Sequence, residues 1–199
     1  GSYDNDEITY VDGTFEDAIY MNSGTAVMGS YFDMPYGVES STANSCAVWG
    51  YQGLSGSTTL SGFAVTAGLP ESSALYTLPI ILEEGQWNVF DLGWDFPGDF
   101  VIAIEVSVTI GMAIDASGSP GQNSWANLGG WQPWTEVANE YMLTDGEFGL
   151  NANVTTVGGG TPVFNVYRSV NGSDFNLMFN GGSLEDNFYM DNTVQNGHE

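Results

Sequence analysis

Phe100, Ile102, Ile104, Val106 and Val108 alternate with Val101, Ala103, Glu105 and Ser107. A two-residue period of this kind puts an apolar row on one face of a β-strand, and a helix cannot use it. The same period recurs at Phe148, Leu150, Ala152 and Val154, just after the turn residues Asp145-Gly146. Further strand candidates are 26–32, 47–51, 58–66, 75–82 and 87–92, separated by Gly, Ser, Asn, Asp and Pro clusters. With 27 Gly and 7 Pro in 199 residues, long helices are interrupted before they can form, and 136–143 is the best short one. Many short strands at this spacing predict an all-β fold, an antiparallel sandwich or barrel.

Composition shifts at Val157-Gly-Gly-Gly-Thr-Pro162, which reads as a linker after a sandwich over 13–156. Residues 1–12 read as an extended amino-terminal segment, and 163–169, 175–179 and 187–190 as three more strands. The 37 residues from 163 to 199 are too few for an independent core. They are expected to dock on the first domain, pair with another chain or begin a longer module.

Charge narrows the function. Arg168 is the only Lys or Arg against 25 Asp and Glu, the formal net charge is −24, and the single histidine is His198. A nucleic-acid groove needs several cations to displace counterions, and this field repels polyanions and anionic lipid surfaces. No apolar run approaches the ~20 residues of a membrane-spanning helix, so direct membrane insertion is not expected. Nucleophile–base pairs, Schiff-base lysines and phosphoryl clamps all call on His, Lys or Arg, so an enzyme is not expected. Cys46 lies within Cys46-Ala-Val-Trp-Gly without a cationic neighbour in sequence and reads as a small buried apolar residue.

Several groups of residues are candidates for binding. Trp125, Trp131 and Trp134 stand among Gln122, Asn123, Asn127 and Gln132. Aromatic faces beside amides can hold glycans, by stacking on the rings and hydrogen-bonding the hydroxyls, although the same rings can cap a core. Asp4, Asp6, Glu7 and Asp12 cluster near the start, and Asp91, Asp95 and Asp99 around one turn. Oxygen-rich loops suit Ca²⁺, though neither cluster has EF-hand spacing, and solvated loop carboxylates are the plainer reading. A carboxylate pair for glycoside hydrolysis arises by chance among so many acids, and no cleft signature selects one. Asn153-Val-Thr155 and Asn171-Gly-Ser173 fit the N-glycosylation pattern.

Tyr10-Val-Asp-Gly-Thr-Phe-Glu-Asp-Ala18, Trp87-Asn-Val-Phe-Asp-Leu92, Pro97–Ile104, Gly111-Met-Ala-Ile-Asp115, Trp131-Gln-Pro-Trp134 and Asp145-Gly-Glu-Phe-Gly-Leu150 resemble the jelly-roll β-sandwich of cleaved-adhesin and hemagglutinin-like domains. These motifs span roughly residues 10–155. Val166-Tyr-Arg-Ser-Val-Asn-Gly172, Phe175-Asn-Leu and Tyr189–Val194 are similar to the middle of a fibronectin type III domain. The resemblance implies a secreted or cell-surface bacterial protein, with an incomplete second module at the carboxyl end.

Three function classes follow: a structural or adhesin protein, a carbohydrate-binding module of a secreted enzyme, and a carboxylate hydrolase. The first is favoured, with a homopolymeric surface filament as its extension. There, Glu7-Ile8-Thr9-Tyr10 would act as a strand donated to a neighbouring copy, satisfying an open sheet edge. Self-association, other surface proteins and glycans are the expected partners.

Overall fold

The structure, a computed structural model, describes residues 2–35, 37–117, 121–158, 164–168 and 176–182, with side chains described for residues 7–158 within those ranges. In chain order the elements are β1 (Ser2–Ile8), β2 (Asp17–Ile19), β3 (Ala26–Phe32), β4 (Val38–Trp49), β5 (Ser57–Thr66), β6 (Leu69–Pro70), β7 (Tyr76–Ile81) and β8 (Trp87–Phe96). There follow β9 (Phe100–Val106), β10 (Met112–Asp115), β11 (Ser124–Asn127), β12 (Trp131–Pro133), α1 (Trp134–Tyr141), β13 (Glu147–Phe148), β14 (Leu150–Gly158), β15 (Phe164–Arg168) and β16 (Asn176–Gly182).

These strands form the expected all-β antiparallel fold. One sheet runs β1-β14-β4-β8, and a second runs β12-β11-β3-β9-β5, with β6 and β7 also paired to β5. A short third sheet, β13-β10-β2, joins the set. The inward rows of all three meet in one core. Ala43, Cys46, Val48, Leu150, Ala152 and Val154 come from the first sheet, Met28, Phe32, Leu60, Ile102 and Ile104 from the second, and Met112, Ile114 and Phe148 from the third. Phe100 is the hub, with its ring 4.5 Å from Phe96 and 5.0 Å from Phe32. Each such side chain contributes about 1.5–3 kcal/mol when fully buried.

The alternation at 100–106 reflects a strand that is buried on both faces. Phe100, Ile102 and Ile104 enter the main core, while Val101 and Ala103 lie under Phe63, Val27, Tyr31, Val65 and Trp131 on the far side of the same sheet. β4 extends well before the expected 47–51, because Ser41 and Ala43 continue its inward row. A register shift between Ala43 and Ser45 breaks the alternation there, which hides the strand from a period-two reading.

Three boundaries differ from expectation. Residues 2–8 are the outermost strand of the first sheet of their own chain, paired to β14 from Ser2↔Val157 to Ile8↔Ala152. β14 runs through Gly158 into the expected linker. The helix spans Trp134–Tyr141 instead of 136–143: Pro133 is its N-cap, and Met142 ends it in the left-handed conformation at φ 54°. β15 and β16 pair antiparallel with each other. The third expected tail strand, 187–190, lies outside the described residues.

Candidate functional site

At one end of the sandwich, β2 and the loop after it, the start of β3, the β11–β12 turn and α1 enclose a groove of about 800 Å³. The apolar helix face that buries Trp134, Val137 and Ala138 draws α1 down onto the core. Met28, Trp134 and Val137 form the groove's buried floor. Its rim carries Tyr20, Leu128, Tyr141 and Leu143, all exposed. Asn22, Ser23, Thr25 and Asn127 add amides and hydroxyls, and no charged side chain lines the groove. Next to it Met142 is 92% exposed, a large apolar side chain on a left-handed residue at the mouth of an adjoining hollow with Tyr20, Asn22 and Leu143.

The β11–β12 hairpin forms one wall. Asn127 pairs with Trp131 across a Leu128-Gly129-Gly130 tip, and Asn127 Oδ1 accepts the Gly129 N–H at 3.2 Å. Beyond the tip lies a second cleft of about 400 Å³, lined by Leu69, Pro70, Ser72, Gly130 and Trp131 and sharing Asn127 and Gly129 with the groove. The Trp131 ring is held edge-on to Phe63 at 4.9 Å, and its Nε1–H donates to the Glu71 carbonyl at 3.0 Å.

The three expected tryptophans therefore separate. Trp131 presents itself to the cleft, and Trp125 stacks on Tyr31 on the outer face of the second sheet, with ring centres 5.6 Å apart. Trp134 is 0% exposed, its ring against Phe148 at 5.3 Å and its Nε1–H on the Thr144 carbonyl at 3.1 Å. It cannot offer a face to a sugar, because the core already covers both sides, and its part in the groove is that of a floor. The rim residues Tyr20, Tyr141 and Leu143 were not singled out as a site by sequence. The available signal was Tyr141-Met-Leu143, three large apolar residues in a row beside the turn Thr144-Asp-Gly146.

The acidic residues also disperse. Glu7 accepts from Asn151 Nδ2 at 3.3 Å on the first sheet, whereas Asp12 accepts from the Thr14 N–H and hydroxyl at 2.8 and 2.7 Å and from Ser117 Oγ. Those bonds from Thr14 hold the Asp12 carboxyl below its ordinary value. The side chains of Asp4 and Asp6 lie outside the described ones. Asp95 accepts from Thr42, and Asp99 from the Tyr31 hydroxyl and the Met34 N–H. Among the described residues no three His, Cys, Asp or Glu side chains gather as a metal site.

Buried carboxylates are satisfied by neutral donors. Glu147, 5% exposed, accepts from the Asn123 N–H and Nδ2 and from Ser124 Oγ at 2.8 Å. Burial pushes its pKa up, and those hydrogen bonds pull partly against the shift. Asp115 takes the Asp12 N–H and the Ser117 N–H and hydroxyl.

Of the expected donor-strand residues, Glu7 and Ile8 lie in β1, the Thr9 hydroxyl bonds Asn151 Oδ1 at 3.0 Å, and the Tyr10 ring lies 5.9 Å from that of Phe32. The sequon residue Asn153 sits inside the first sheet between Glu7 and Ser45, with its Oδ1 accepting from Asn44, while Asn171 lies outside the described residues.

No family model and no curated protein matches the chain. Among solved structures it is similar to the clostridial cysteine protease Cwp84 in the form left after propeptide cleavage, with a TM-score of 0.59 and 13% sequence identity. The match covers 77% of this chain and 40% of that one, so the chain spans less than half the protease's length. The likeness is one of fold. Cysteine-protease chemistry needs a thiolate beside an imidazole. Here Cys46 is 1% exposed, with burial pushing its thiol up to about 12, and the only histidine is His198, outside the described residues.

Proposed function

We propose that this chain is a non-catalytic recognition domain of adhesin type that works outside the cell and holds a neutral glycan in the groove beside α1. One observation carries the reading: in a chain of net charge −24, the groove beside α1 has no charged lining, and Tyr20 and Tyr141 flank its amides and hydroxyls. Uncharged hydroxyl-rich ligands match that lining, whereas anionic ones meet the acidic field around it. The likeness of residues 10–155 to domains of secreted surface proteins supports the same placement. A neutral-glycan array tests it. Tyr20→Ala and Tyr141→Ala, both at exposed positions, should lose the signal while the melting temperature holds. A flat array from the unaltered protein would sink the reading, and steady release of reducing sugar would replace it with a hydrolase.

A second reading is supported by β1. It is held at a sheet edge by a backbone ladder with a register shift between Tyr3 and Asp6, the type of strand that copies can exchange. Exchange from chain to chain would build a filament. Native material that stays monomeric by electron microscopy and light scattering at every concentration would exclude it.

A further inference from the structure

Resting on the glycan reading of the groove, we propose that the ligand is an oligosaccharide chain that passes over the β11–β12 hairpin tip, from the groove at Tyr20 and Tyr141 into the cleft at Trp131. The protein would then bind an extended stretch of sugars and favour it over a single terminal unit.

The geometry of the tip points to this. Groove and cleft share Asn127 and Gly129, so only the hairpin tip separates them. Gly129 has φ +112°, a conformation that side chains resist, so the turn itself requires glycine there. Gly130 is different. It has no positive φ, and a Cβ added to it meets nothing within 4 Å. Neither backbone nor packing requires glycine at 130, and its bare surface keeps the tip low where a chain would cross. On the far side Trp131 is fixed by Phe63 and by its bond to the Glu71 carbonyl, so its ring is set in place before any ligand arrives. A fixed ring adds contact without losing rotamer freedom on binding. The cleft, like the groove, has no charged lining residue.

Calorimetry with cello-, malto- and chito-oligosaccharides, each from the monosaccharide to the hexasaccharide, tests the crossing. At least one series should gain roughly tenfold or more in affinity between the disaccharide and the longest member. Gly130→Leu should return the longest member to the disaccharide's affinity, with the melting temperature and disaccharide binding unchanged. Trp131→Ala should do the same, and Gly130→Leu keeps the test valid if that variant folds poorly. Affinity independent of length, or long chains binding Gly130→Leu as before while Tyr141→Ala abolishes binding, would overturn the crossing and leave the groove standing. No binding by any series would remove the groove's glycan reading and the crossing together.

Discussion

The two large sheets share a core but differ on their outward faces. The first turns out Thr42, Asn44, Asn151, Asn153 and Thr155, and these side chains bond mainly to one another and to Asp95, Glu7 and Thr9. The second turns out Tyr31, Phe63, Trp125 and Trp131, with Tyr31 stacked on Trp125 and Phe63 edge-on to Trp131, packed over Val101 and Ala103. By composition the polar face looks the better partner for a hydrated ligand. By hydrogen bonding it is the poorer one, because many of its donors and acceptors are already engaged. The proposed recognition site lies at the end of the second sheet, where Trp131 is anchored against Phe63 and Asn22, Ser23 and Thr25 of the groove are exposed.

The comparison breaks most readily at Phe63. Phe63→Ala removes the ring under Trp131 and uncovers Val101, and should cost about 3–5 kcal/mol by chemical denaturation. Binding in the Trp131 cleft should weaken with it. On the first sheet, Asn44→Ala breaks the bonds to Asn153 and Thr155 and should cost ~1 kcal/mol, with glycan binding unchanged. A loss of binding there would overturn the contrast between the faces.

Acid provides a further test. Glu147 has a folded pKa above its ordinary 4.5, so the folded chain takes up its proton more readily than the unfolded chain. Its contribution to stability therefore rises as pH falls through that raised value and levels off below 4.5. Asp12, held below 3.8, acts in the opposite sense: its contribution is present above 3.8 and is lost as pH falls through its lowered value. Glu147→Gln should flatten the pH dependence of the melting temperature in the first window and leave the second intact.

The smallest effect is expected at Ala67. With Gly68 it forms the two-residue turn between β5 and β6, at φ 53° and 78°, where Asn-Gly is the favoured pair. Ala67→Asn should raise stability by ~0.5–1 kcal/mol in thermal melts and leave the Trp131 cleft unaltered.

The strand at 100–106 was the most legible, because its inward row Phe100, Ile102, Ile104 and Val106 is apolar throughout. The first half of β4 was not legible, because its inward row is Ser and Ala and a bulge interrupts the count. The site was half legible. Trp131 could be picked out as an aromatic beside amides, but Trp134, three residues on, is in the core, since the helix that starts there turns it inward. The groove's rim comes from the β2–β3 loop and the end of α1, distant in sequence and adjacent only once the helix has docked. The buried acids illustrate the same limit. With a single Lys or Arg in the chain a buried carboxylate has little cationic charge to pair with, and the network at Asn123 and Ser124 became visible only with the strands in register.

Cys46 is the chain's one thiol, set between Ala152 and Phe90 in the middle of the first sheet. A thiol reagent must wait until those strands part, so the pace of labelling at high reagent concentration reports how often the sheet opens. The molecule thus carries its own stopwatch, and the opening of the first sheet's centre can be timed with and without added sugar by reading one sulfur atom.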